Sequence, residues 1–133
     1  MAGRDVVYRG SLLMNIVEVC HLDIASFGAW DDPTAEVFAA ERPEGWGYRK
    51  LVWRGERLIG AMILGRANDI WTTNDVGMLK GLVQSGKSLR PWKDHLRRNP
   101  FDIKPAFITS GTTAHLLPET ILGCPSVPAG QVA

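Results

Sequence analysis

The 133-residue chain carries 15 basic against 14 acidic side chains, a net charge of +1, so it offers no electrostatic footprint for nucleic acid or an anionic membrane surface. At 45% hydrophobic and 22% charged residues it has the make-up of one ordinary globular domain with a modest core. No apolar run reaches the roughly 18 to 20 residues that cross a bilayer, and Met1-Ala2-Gly3-Arg4-Asp5 lacks the basic-then-apolar layout of a secretory leader, so the expected location is the cytoplasm.

The lead from Met1 to Gly10 is polar. From Leu12 to Phe27 the chain turns apolar, with Val17, Val19 and His21 alternating imperfectly against Glu18, Cys20, Leu22 and Ile24; Gly28 ends the run. This pattern predicts one strand over residues 17–28, bulged near His21-Leu22. Asp31-Asp32-Pro33-Thr34 is a turn, because proline presets φ and aspartates hydrogen-bond nearby amides. Periodicity alone leaves Ala35 to Glu41 open between a strand and a helical turn. Arg42-Pro43-Glu44-Gly45-Trp46-Gly47 then breaks the chain.

The strongest local signal follows. Tyr48 to Trp53 is rich in β-branched and aromatic residues, Arg54-Gly55-Glu56 is a polar turn with a glycine able to take positive φ, and Leu58 to Gly65 is almost wholly apolar. A β-hairpin is predicted, its second arm buried on both faces. Asn74 or Asp75 caps a helix whose Val76, Leu79, Leu82 and Val83 form one stripe, stopped at Ser85-Gly86. Leu89 to Leu96 begins a second short helix with Pro91 in its first turn, ended by Arg97-Arg98-Asn99-Pro100. Beyond it the composition shifts. Pro100, Pro105, Pro118, Pro125 and Pro128 punctuate short apolar pieces, which predicts an extended tail over residues 99–133 that wraps a surface, with disorder near Ser126 to Ala133.

Few residues invite chemistry. His21, His95 and His115 lack the i, i+4 partners or carboxylate spacing of a metal site. Ser11, Ser85 and Ser110 lie in no Gly-x-Ser-x-Gly elbow, and Ser110-Gly111-Thr112-Thr113 has neither the lysine nor the flanking elements of a P-loop. Cys20 and Cys124 belong to no Cys-x-x-Cys pair and read as reduced thiols. No Gly-x-Gly-x-x-Gly opens a βαβ unit, so no dinucleotide pyrophosphate has a cradle. The aromatic residues are the better clue: Trp30, Trp46, Tyr48, Trp53, Trp71 and Trp92 divide between core and a covered surface, with Trp46 and Trp71, both in turns, the surface candidates. Arg49, Lys50, Arg54 and Arg57 form either a basic docking strip or a solvated sheet face.

The order Tyr48-Arg49-Lys50, short turn, Leu58-Ile59-Gly60-Ala61 and Leu64-Gly65, then a helix ending at Ser85-Gly86, resembles the C-terminal domain of FAD-dependent pyridine nucleotide-disulfide oxidoreductases. The likeness is to the branch of NADH-rubredoxin reductase and the flavin part of assimilatory nitrite reductase. Gly3, Tyr8-Arg9-Gly10-Ser11, Asn15 and Val19 to Gly28 resemble that family's linker and first strand, so the resemblance covers residues 2–96. It implies a strand over residues 35–41 and an α+β fold, with three or four antiparallel strands packed against one main helix and a short second one. Residues 1–11 would link to an absent FAD domain, and residues 12–98 would form the interface domain.

FAD and NAD(P)H are implied for the parent protein and neither for this chain, which lacks the His-Pro-Thr motif that glutathione-reductase relatives place in a partner's active site. The implied role is non-catalytic: packing on the FAD/NAD-binding domain and forming a subunit or redox-partner interface through Trp46, Tyr48, Arg49, Lys50 and Trp71, with a homo-oligomer allowed. A free-standing module docking onto a separate flavoprotein is the other reading of the same residues. An independent small enzyme is disfavoured by the missing nucleophile, metal and nucleotide motifs.

Overall fold

A computed structural model describes residues 12–68 and 74–112. Five strands, β1 (Met14–Val19), β2 (Leu22–Gly28), β3 (Glu36–Arg42), β4 (Gly47–Arg54) and β5 (Arg57–Arg66), form one antiparallel sheet in the order β1-β2-β5-β4-β3. Three helices follow: α1 (Asp75–Ser85), α2 (Arg90–Arg98) and α3 (Lys104–Thr109). The fold is α+β, as the sequence implied.

The sheet has five strands where three or four were expected, because the predicted single strand over 17–28 is a hairpin. Cys20 and His21 make its turn with φ of 51° and 63°, and Val19 pairs with Leu22 across it. Two consecutive positive φ values define the tight turn whose twist suits a hairpin, normally announced by Asn-Gly or Asp-Gly. Cys-His carries no such announcement, so the two arms merge in the sequence pattern.

The main hairpin stands where expected, with Gly55 at φ +62° in its turn. Its second arm is not buried on both faces. Leu58, Ala61 and Ile63 are enclosed, whereas Ile59, Met62 and Leu64 are only half-buried, the two-residue alternation of a sheet covered on one side.

Helix α1 lays Val76, Leu79, Leu82 and Val83 on that covered side, the stripe read from sequence. Asn74 precedes it in a left-handed conformation without a side-chain cap, and Gly86 at φ +58° ends it. In α2 only Leu96 is buried, and the helix presents Lys93 and Arg97 to Glu36 at the outer edge of β3.

The expected extended tail is corrected over residues 99–112. Pro105 sits in the first turn of α3, where its missing N–H costs nothing, and Ile103 and Ala106 complete the core. The remainder of that tail, 113–133, and the linker 1–11 lie outside the described residues. The core is one layer between sheet and helices: Ala25, Phe27, Leu51, Trp53, Leu58, Ala61 and Ile63 from the strands meet Leu79, Leu82, Leu89, Leu96 and Ile103.

Candidate functional site

Neighbours along a strand point to opposite faces, so the run Tyr48-Arg49-Lys50 cannot act as one strip. Arg49 shares the helix side with Leu51 and Trp53, while Tyr48, Lys50 and Val52 share the other. Arg49 is 3% exposed. Its guanidinium pairs with the Asp75 carboxylate at the start of α1, donates to the Pro100 carbonyl at 3.5 Å, and stands 5.0 Å from the Phe101 ring centroid. Burial pushes its pKa below the usual arginine value, against the opposing pull of Asp75. Arg49 is thus an internal tie between sheet, α1 and the turn before α3, and it leaves the candidate surface.

The face turned away from the helices carries Leu22 and Ile24 of β2, Met62 and Leu64 of β5, and Tyr48 and Lys50 of β4, all half-buried, with Val17, Val19 and Val37 exposed at its margins. One end is closed by the segment between β2 and β3. The Ala29 N–H donates to the Ile59 carbonyl at 2.9 Å, and a Cβ on Gly60 would stand 2.5 Å from the Ala29 and Trp30 backbone, so only glycine lets that segment lie on the sheet. Asp32 holds its turn, accepting from the Thr34 hydroxyl at 2.7 Å and from Arg54 at 2.6 Å; the Thr34 hydroxyl above all keeps its carboxyl below the ordinary range. Trp30 lies 5.8 Å from the Lys50 ammonium.

The other end is open. Trp46, at φ 55° and 62% exposed, stands between two hollows. One, of about 390 Å³, is walled by Glu41, Arg42, Tyr48 and Leu64; the other, of about 410 Å³, by Cys20, His21, Leu22 and Arg66. Sequence reasoning therefore found Trp46, Tyr48 and Lys50 on one surface, and Trp71 lies outside the described residues. It missed Leu22, Ile24, Met62 and Leu64, the apolar body of that surface, although the alternation along the main hairpin carried the signal for the last two.

Among the described residues no three His, Cys, Asp or Glu side chains gather as a metal site, and no helix is long and apolar enough to cross a membrane. The Ser110 and Gly111 carbonyls accept from the Lys87 ammonium at 3.0 Å each. His95 and Asp102 pair at 2.8 Å, joining α2 to the turn before α3 on the far side of the sheet. Among the described residues the face turned away from the helices is apolar and half-buried, with the Lys50 ammonium and the Trp46 indole at its rim.

No protein-family profile and no curated protein sequence matches the chain. Among solved structures, a NAD-dependent persulfide reductase from A. fulgidus matches 86% of the chain with a TM-score of 0.54 at 18% identity. At that identity the likeness is one of fold. The match spans 25% of the reductase's own chain, so this protein resembles one part of that enzyme.

Proposed function

We propose that this chain is the C-terminal domain of an FAD- and NAD(P)H-dependent pyridine nucleotide-disulfide oxidoreductase, non-catalytic by itself, whose open sheet face packs against the flavin domain or a redox partner. The observation that carries this reading is the fold match, which takes in most of this chain and only a quarter of a NAD-dependent reductase. The half-covered apolar face with Trp46 at its rim supports it, since a domain designed to stand alone has little reason to leave Leu22, Ile24, Met62 and Leu64 partly wet. The described residues do not fit a nucleotide. Among them the sheet is antiparallel throughout, with no parallel strand–turn–helix unit to seat a pyrophosphate. Hydride transfer from NAD(P)H to FAD would therefore belong to the rest of the parent protein, with this domain fixing the position of the flavin domain's neighbours.

The test is the intact mass of the polypeptide carrying this sequence, immunoprecipitated from its source cells. The expected result is a flavin-bearing species several-fold heavier than 14.6 kDa, or a 14.6 kDa chain held by a separate flavoprotein. A native mass near 14.6 kDa with no flavoprotein co-precipitating would overturn the proposal.

A further inference from the structure

We draw no further inference here: the strongest candidate, the hollow of about 410 Å³ at the open end of the sheet where Cys20, His21 and Arg66 stand beside Trp46, belongs to the face already taken up under the proposed function, and nothing among the described residues shows what ligand or surface would fill it.

Discussion

The two faces of the sheet are built from the same strands with the same kinds of side chain, yet they have different fates. Ile63 and Leu64 are neighbours of nearly equal hydrophobicity; Ile63 is 1% exposed beneath α1, and Leu64 is half-buried on the open side. Apolar character on both faces of β5 and β2 therefore does not say which face is covered; among the described residues the helices cover one. The helix face is a core, and the other face is the one proposed above to pack against the flavin domain or a redox partner.

Substitutions divide along that line. Ile63→Asp should have the largest effect, unfolding the domain through a loss of about 4 kcal/mol or more, because an unpartnered carboxylate would enter the helix-covered layer. A circular-dichroism melt that still shows a cooperative transition near the parent's would contradict the assignment of that face. Asp75→Ala comes next: it strands the buried Arg49 guanidinium and should cost about 3 kcal/mol in urea denaturation, whereas Arg49→Met combined with Asp75→Leu should recover most of the loss. Equal damage from the single and double changes would mean that the ion pair is not what matters there.

Leu64→Asp should shift stability by less than about 1 kcal/mol, since water already reaches the site, while abolishing any association with the flavin-bearing partner proposed above in a pull-down. Unfolding by this change would place Leu64 in the core. The smallest effect is on the β3 edge. Lys93 first, then Arg97, holds the Glu36 carboxyl below its ordinary value of 4.5, so Glu36 stabilises the fold at neutral pH and that contribution fades as the pH falls below 4.5 toward the depressed folded value. Melts from pH 7 downward should show Glu36→Gln flattening the acid side of the stability curve, and an unchanged acid limb would remove Glu36 from the account.

Periodicity made much of this legible. The main hairpin, the α1 stripe at Val76, Leu79, Leu82 and Val83, and the α2 start at Pro91 all stand where alternation, a 3.6-residue repeat and a first-turn proline put them, although the expected side-chain cap of α1 is not made. The β1–β2 hairpin was hidden, because Cys20 and His21 adopt a turn conformation that their side chains do not advertise. Helix α3 was hidden for a different reason. Six residues beginning Lys104-Pro105 cannot hold a helix alone, and it exists because Ile103 and Ala106 have a core to enter. Of the residues singled out together in the sequence, the structure places Trp46, Tyr48 and Lys50 on the side away from the helices, whereas Arg49 looked no different from Lys50 until its parity set it against Asp75.

The local pattern of this chain thus determined the main hairpin, the core stripe of α1 and the start of α2, and it carries no nucleotide-cradle or nucleophile motif, since these depend on spacings of a few residues. Tertiary structure alone decided which apolar face the helices cover and that Arg49 is buried with Asp75. Covering a face is a long-range event between segments far apart in the chain, and a periodic pattern records only that a side chain prefers to be buried, never against what.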